Sequence, residues 1–173
     1  MGLEARVRAV SDFPVPGIVF RDITPLLADA ESLDAAVDAL ARPARDLGVE
    51  LVLGAEARGF VLGAALARDL GAGFVPLRKP GRLPAATRRA EYALEYGSDA
   101  LEMHADALED GVRVLVHDDL LATGGTAEAA CRLAEDAGAE VAACSFLLEL
   151  DGLGGRAALA PRPVQAVLTL PAA

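Results

Sequence analysis

The sequence has no tryptophan, two cysteines and a single lysine among its 173 residues. The cysteines, Cys131 and Cys144, fall in a helix pattern and a strand pattern, so we expect small buried hydrophobic residues rather than a disulfide or a metal pair. No apolar run is long enough to span a membrane, and the N-terminus lacks the apolar segment of a signal peptide. These absences predict a cytoplasmic protein without a membrane partner.

Positive charge is also scarce. The net charge of −10 argues against a nucleic-acid partner, because nucleic-acid affinity depends on a basic surface. A Walker A sequence and a Gly-x-Gly-x-x-Gly helix opening are both missing, which argues against P-loop and Rossmann dinucleotide sites. The chain does have 53% hydrophobic residues and the length of one domain, which suits an α/β protein with buried parallel strands.

The stretch 112–138 is the most informative part of the sequence. An apolar run from Val112 to Val116 predicts a strand buried on both faces. Two adjacent carboxylates, Asp118 and Asp119, close that strand, and a loop of small and hydroxyl-bearing residues follows at 120–126. A helix with apolar residues at helical spacing then runs to Gly138.

This order of elements suits a sugar phosphate. Free N–H groups at a helix N-terminus bind phosphate, and Thr123 and Thr126 add hydroxyl donors. Carboxylates repel phosphate, so the acidic pair calls for ribose hydroxyls or a divalent cation. A ribose 5-phosphate satisfies both halves, whereas the alternative is an ordinary turn with solvated acidic residues.

The sequence Asp-Asp-Leu-Leu-Ala-Thr-Gly-Gly-Thr at 118–126 resembles the phosphoribosyl diphosphate (PRPP) motif of the type I phosphoribosyltransferases. Its form is most similar to that of the adenine phosphoribosyltransferases. The resemblance implies that this stretch binds the 5-phosphate and the ribose through Asp118, Asp119, Ala122, Thr123, Gly124, Gly125 and Thr126.

Residues 11–27 form a second motif. Pro14, Pro16 and Gly17 exclude a helix there and indicate a constrained, extended path, which by spacing alone would be an N-terminal arm on the core. The segment resembles the base-binding segment of the same family. By that likeness Phe20 stacks on the purine, with Leu120 on its other side, and the purine edge is read by the main chain at Val19 and Arg21.

Two loops supply the local positive charge that an acidic polyphosphate-binding protein needs. Residues 54–60 resemble the family's pyrophosphate loop, in which Arg58 offers a planar fork to the diphosphate. The family usually has an aliphatic residue in place of Ala55. Residues 78–84 resemble the family's basic loop, with Arg82 in place of a lysine, and the expected diphosphate contacts are Arg78, Lys79 and Arg82.

Residues 85–104 are polar and alternate at Tyr92, Leu94 and Tyr96, which predicts a strand or hairpin and a candidate mobile lid. They resemble the family's flexible loop. By that likeness Glu95 is the catalytic carboxylate that acts on the purine, and Tyr96 closes over the site. Without the resemblance, Glu95 would be interpreted as a solvated hairpin residue.

The remaining periodicity predicts the rest of the fold. Strands are expected at 51–53, 74–77, 141–148 and, at a sheet edge, 164–170; a helix is expected at 33–47, with Ser32 as its cap and a break at Pro43, and another up to Leu70. We predict one α/β domain with the type I phosphoribosyltransferase fold, a Rossmann-like parallel sheet flanked by helices. Residues 1–30 would form a hood and 31–173 the core, with a lid at about 79–104.

Four motifs in the family's order imply transfer of phosphoribose from PRPP to adenine, which gives AMP and diphosphate. The resemblance also implies Mg²⁺ with PRPP, held mainly by the substrate and near Asp118 and Asp119, and a homodimer. Three alternatives stay open. They are the same reaction on another purine, a PRPP-binding regulator without activity, and a generic flavodoxin-like binding domain.

His117 departs from the family pattern, which commonly has an aliphatic residue before the acidic pair. The simpler interpretation is a tolerated polar residue at a strand end. The functional hypothesis is that His117 interacts with Asp118 or Asp119, so that PRPP affinity depends on pH near neutrality.

Overall fold

The computed structural model describes residues 2–94 and 97–172. Across these residues, nine strands and five α-helices alternate in the order expected of an α/β protein. They are β1 (Arg8–Ser11), β2 (Val19–Asp22), α1 (Thr24–Leu27), α2 (Ala30–Ala41), β3 (Leu51–Ala55), α3 (Arg58–Leu70), β4 (Gly73–Leu77), β5 (Thr87–Leu94), β6 (Gly97–His104), β7 (Arg113–Leu121), α4 (Gly125–Asp136), β8 (Glu140–Asp151), α5 (Gly155–Leu159) and β9 (Val164–Pro171).

A parallel sheet forms the centre, with strand order β4-β3-β7-β8-β9. Every neighbouring pair in it is parallel, and β9 lies at one edge, as predicted. The central strands β3, β7 and β8 are buried on both faces, which is why they appear in the sequence as apolar runs. One face packs against α4 and the other against α2 and α3. The predicted α/β class and parallel sheet are confirmed.

Close packing of α3 on β3 depends on two glycines. The ring of Phe74 fills the space beside Gly54 and Gly63. A Cβ atom on Gly54 would lie 2.5 Å from the Phe74 ring, and one on Gly63 would lie 2.9 Å from it. These glycines therefore let α3, which carries Arg58 at its start, lie directly against the sheet.

The helix predicted at 33–47 is two elements. α2 begins at Ala30, because the carboxylate of Asp29, not Ser32, is the cap and accepts a hydrogen bond from the Ser32 N–H at 3.0 Å. After Ala41 the chain continues as a 3₁₀ helix, Arg42–Leu47, which ends at Gly48. Pro43 explains the change, since its ring is incompatible with a continued α-helix.

Strand β7 is longer than the apolar run predicted. It continues to Leu121, so the acidic pair lies within the strand instead of closing it. The reason is its partner, because β8 keeps pairing through Leu121↔Glu149. The sequence also missed α5, a five-residue helix between Gly154 and Ala160.

Two small antiparallel pairs flank the sheet. β1 pairs with β2 in the predicted N-terminal hood, and β5 pairs with β6 in the predicted hairpin. The hairpin is packed, since Tyr92, Leu101 and Met103 join the same core as α4. No helix within the described ranges combines the length and the apolar character needed to cross a membrane.

Candidate active site

The predicted ligand loops meet at the carboxyl ends of β3, β4 and β7, the edge at which open parallel sheets bind ligands. A cavity of about 220 Å³ opens there. All seven predicted ribose-phosphate residues line it, together with Arg58 and with Tyr92, for which no functional role was predicted. The lining residues are Arg58, Tyr92, Asp118, Asp119, Leu120, Leu121, Ala122, Thr123, Gly124, Gly125, Thr126 and Ala127.

The floor of this cavity is the start of α4. Gly124 is the N-cap with φ +90°, and its lack of a side chain leaves the first-turn N–H groups of α4 facing a loop of small residues. From behind, α5 supports the loop so closely that a Cβ on Gly155 would lie 2.4 Å from the Ala122 carbonyl oxygen. The result is a cradle of N–H dipoles, the arrangement that favours an anion.

The acidic pair lies at the side of the cradle. Asp119 is 3% exposed, and Asp118 Oδ1 accepts a hydrogen bond from the Asp119 N–H at 2.8 Å. Burial, and then the charge of Asp119, raise the pKa of Asp118 well above its ordinary value. Burial also raises the pKa of Asp119, although the Arg58 guanidinium opposes this rise. Two like charges side by side, one buried and one half-buried, are costly unless a ligand uses them.

Replacement of Asp118 by asparagine is therefore expected to stabilise the protein at neutral pH when no ligand is added. A raised carboxyl pKa means that the folded state loses stability as pH rises from the unfolded-state value through the folded one. The gain in Tm, about 2–4 °C for each kcal/mol in a domain of this size, should therefore shrink as pH falls toward 4. Calorimetry at a series of pH values measures it.

The exposed carboxylate Asp136, at the end of α4, provides the matched control. Asp136→Asn should leave Tm and PRPP binding unchanged, whereas Asp118→Asn should lose most PRPP binding. An Asp118→Asn variant that is less stable than the wild-type protein at pH 7 contradicts the prediction.

Arg58 connects the acidic pair to the base segment. Its Nε atom lies 2.8 Å from Asp119 Oδ2, and its guanidinium lies 4.9 Å from the centroid of the Phe20 ring. The cation thus covers an aromatic face and holds a buried carboxylate at once. The contact with Asp119 uses Nε, so the terminal nitrogens of Arg58 remain for the diphosphate contact that the sequence predicts.

The base segment is held by the hood. Val19, Phe20 and Arg21 lie on β2, and the Phe13 ring meets Phe20 edge-on, with centroids 5.2 Å apart. The Arg21 side chain donates a hydrogen bond to the Pro171 carbonyl at 3.0 Å, so the hood is tied to β9. Phe20 is joined to the main cavity through Arg58, while Leu120 lines that cavity directly.

The basic loop does not line the cavity in this structure. Arg78 Nε and the Lys79 N–H both donate to Glu56 Oε2, at 3.0 and 2.8 Å. The Lys79 ammonium reaches Tyr92 Oη at 3.0 Å and pairs with Asp99 of the hairpin.

The predicted loop of positive charge is thus held by three carboxylates that sequence reasoning missed: Glu56, Asp99, and Glu102, which accepts a hydrogen bond from the Gly81 N–H at 2.9 Å. The only sequence signal for Glu56 was its place two residues before Arg58. The Arg82 carbonyl accepts a hydrogen bond from Arg78 Nη1 at 3.4 Å, which folds the loop back on itself.

The hypothesis that His117 interacts with the acidic pair is wrong. His117 is fully buried, and a Cβ on Gly63 would lie 3.3 Å from its Cδ2, so the ring faces α3. Within the described chain, neither ring nitrogen hydrogen-bonds to Asp118 or Asp119. Burial lowers the pKa of His117 to about 4, so the ring is neutral near pH 7.

Glu95 and Tyr96, the predicted catalytic carboxylate and lid residue, lie outside the described residues.

The fold and the cradle define a phosphoribosyltransferase, and comparison with known proteins agrees. A family model described as "Phosphoribosyl transferase domain" matches residues 26–158. The chain is 54% identical over 168 residues to the adenine phosphoribosyltransferase of Rhodopirellula baltica, covering 97% of this chain and 82% of that protein. It is 56% identical over 166 residues to that of Methylococcus capsulatus, covering 96% and 97%.

Solved structures give the same result. The adenine phosphoribosyltransferase of Rhodothermus marinus superposes with a TM-score of 0.93 at 55% identity, over 97% of this chain and 96% of that one. The enzyme of Saccharomyces cerevisiae, solved with adenine and an imino-altritol bisphosphate, superposes with a TM-score of 0.91 at 38% identity, over 96% of each chain. The chain belongs to the adenine phosphoribosyltransferase family, which confirms the predicted family, fold and transferase class.

Proposed function

We propose that the protein transfers the 5-phosphoribosyl group of PRPP to adenine and releases AMP and diphosphate, a purine-salvage reaction. The observation that carries the proposal is the juxtaposition of an anion cradle, an acidic pair and an arginine that lies on an aromatic ring, around one cavity. Each part matches one portion of the two substrates. The names of the relatives support the choice of adenine.

The 5-phosphate is assigned to the loop 122–126, where the N–H groups of the α4 N-terminus and the Thr123 and Thr126 hydroxyls are donors. Asp118 and Asp119 are assigned to the ribose hydroxyls. Breaking the anomeric bond develops positive charge on the sugar, and two carboxylates held beside it stabilise that charge. Strongly shifted pKa values of this kind are typical of functional sites.

The departing diphosphate is assigned to Arg58, Arg78, Lys79 and Arg82. The developing negative charge would draw Arg58 from Asp119 and the Lys79 ammonium from Asp99. The base is assigned to Phe20 and Leu120 on its two faces, and to the main chain at Val19 and Arg21 on its edge. Glu95 would handle a proton of the purine ring, and Tyr96 would close the lid.

Mg²⁺ fits this site as a companion of the substrate. Within the described residues, no three or more potential ligand side chains converge on one point, whereas Asp118 and Asp119 are adjacent. Two carboxylates suit an ion whose other ligands are substrate oxygens and water. When bound, Mg²⁺ would neutralise diphosphate charge. Chelation by EDTA should abolish AMP formation, and added Mg²⁺ should restore it.

Exposed apolar side chains in and near the hood support the proposal of a homodimer. Phe13, Val15 and Ile18 are 51%, 54% and 48% exposed in one loop, and Val61 on α3 is 50% exposed. Exposed apolar groups of this kind mark contact surfaces. Light scattering coupled to size-exclusion chromatography would give twice the chain mass for a dimer. A monomer at micromolar concentration would remove the proposal. The predicted cytoplasmic location stays a prediction.

The function is tested by assaying adenine, hypoxanthine, guanine and xanthine in parallel with PRPP and Mg²⁺. AMP formation should exceed the oxopurine products by at least about 100-fold in kcat/KM, because mismatched donors and acceptors leave buried polar groups unpaired. Preference for an oxopurine would change the substrate assignment. PRPP binding without any nucleotide product would favour a regulator.

A further inference from the structure

Glu56 places a negative charge where the proposed reaction needs positive charge. It lies between β3 and α3, two residues before Arg58, and its side chain is 21% exposed. An ionised carboxylate near a diphosphate site repels the ligand through space. A carboxylate at this position would favour diphosphate binding only if its other contacts outweigh that repulsion.

The contacts of Glu56 are made with Arg78 and Lys79. Its Oε2 atom accepts hydrogen bonds from Arg78 Nε at 3.0 Å and from the Lys79 N–H at 2.8 Å. The Arg78 side chain and the Lys79 N–H hold the pKa of Glu56 below its ordinary value, so the group stays ionised throughout the neutral range. Charge-assisted bonds of this kind are stronger and more directional than neutral ones.

Glu56 also lies directly after the last paired residues of β3 and β4, where the loops that follow these two strands begin. β3 and β4 pair as far as Ala55↔Leu77, and the Glu56 N–H then donates to the Leu77 carbonyl at 2.9 Å. The Glu56 side chain extends this link into the loops. It ties the loop that leads to Arg58 to the loop that carries Arg78 and Lys79.

The contacts with Glu56 do not occupy the terminal nitrogens of Arg78 or the ammonium group of Lys79, although that ammonium group pairs with Asp99 in this structure. Glu56 accepts its hydrogen bond from Nε of Arg78, so the two terminal nitrogens remain for phosphate oxygens. One of them, Nη1, also contacts the Arg82 carbonyl at 3.4 Å. Glu56 accepts its other hydrogen bond from the main-chain N–H of Lys79, so it does not contact the Lys79 ammonium group. We infer that Glu56 is a positioning residue that holds Arg78 and Lys79 in place for the diphosphate group. This inference rests on the proposed function.

The test titrates inorganic diphosphate into the purified full-length protein by calorimetry, for the wild-type protein and for Glu56→Ala and Glu56→Gln. Glu56→Ala should weaken diphosphate binding by about 10-fold or more, the worth of one charge-assisted hydrogen bond. KM for PRPP should rise in parallel, and KM for adenine should stay within about 2-fold. Glu56→Gln keeps an acceptor and should recover to within about 3-fold of the wild-type value.

The sign of the change decides the case. Loss of a merely repulsive charge would tighten diphosphate binding, so unchanged or tighter binding in Glu56→Ala overturns the inference. Equal losses for adenine and diphosphate, with a lower Tm, also overturn it. Glu135→Ala, which removes a surface pair with Arg162, is the matched control and should change neither constant. If the wild-type protein makes no AMP, the proposed function fails, while the diphosphate titration still decides the role of Glu56.

Discussion

Replacement of Arg58 by alanine is expected to lower kcat/KM for PRPP by at least about 100-fold, because a cation with two or more charge-assisted bonds to diphosphate is lost. The same substitution is expected to tighten the binding of adenine when PRPP is not added. The Arg58 guanidinium lies over the Phe20 ring, 4.9 Å from its centroid, where the base would stack. Adenine alone must displace that contact, which is worth about 0.5–2 kcal/mol.

Two measurements check this pair of effects. Calorimetric titration with adenine should show a gain of about 2-fold to 30-fold in affinity for Arg58→Ala, the range that the lost contact allows. Steady-state kinetics should show the loss toward PRPP. Arg58→Lys, which keeps the charge but not the planar fork, should lie between the wild-type protein and the alanine variant.

The pH dependence of kcat/KM for PRPP in Arg58→Ala gives an independent test of the contact between Arg58 and Asp119. Arg58 opposes the rise in the pKa of Asp119, so its removal raises that pKa further. If PRPP binding needs an ionised Asp119, the acid limb of the profile for kcat/KM of PRPP should move to higher pH. Arg68→Ala, an exposed arginine on the same helix α3, is the control and should leave the profile unchanged. Weaker adenine binding in Arg58→Ala would contradict the assignment of Phe20 as the stacking face.

The second large effect is expected at Gly124. Its φ of +90° is unfavourable for any residue with a side chain, and a Cβ atom there would lie 3.0 Å from the Gly155 carbonyl oxygen and from the Ala158 Cβ. Gly124→Ala must therefore shift the loop or α5. Because a displacement of about 1 Å costs on the order of 100-fold in rate, we expect kcat/KM for PRPP to fall by about that factor.

The matched control separates steric displacement from backbone strain. Gly111 has φ +78°, a Cβ atom placed on it would meet nothing within 4 Å, and it precedes β7 at the opposite end of the sheet. Gly111→Ala should cost about 1–2 kcal/mol of stability, as Gly124→Ala does through strain alone, yet leave the kinetics unchanged. Equal kinetic losses in the two variants would show that the cradle is not the phosphate site.

Much of the fold was predictable because its signals are local. The central strands β3, β7 and β8 are buried on both faces, so each left an apolar run in the sequence. The start of α2 and the end of β7 were not predictable to the residue. The Asp29 carboxylate, three residues before the predicted cap Ser32, set the start of α2, and the pairing of β8 with Asp118 to Leu121 set the end of β7. Neither choice is visible in the periodicity of the segment itself.

The sequence by itself predicted a sugar-phosphate site in the stretch 112–138 and determined its strand-loop-helix order, because its donors and carboxylates are contiguous and a strand followed by a helix presents them together. The tertiary structure decided which charges meet. In the folded protein Arg58 contacts Asp119 and Phe20, and Arg78 donates a hydrogen bond to Glu56. The ring of His117 faces α3. Long charged side chains reach across elements, so their partners depend on distances that only the packed fold defines.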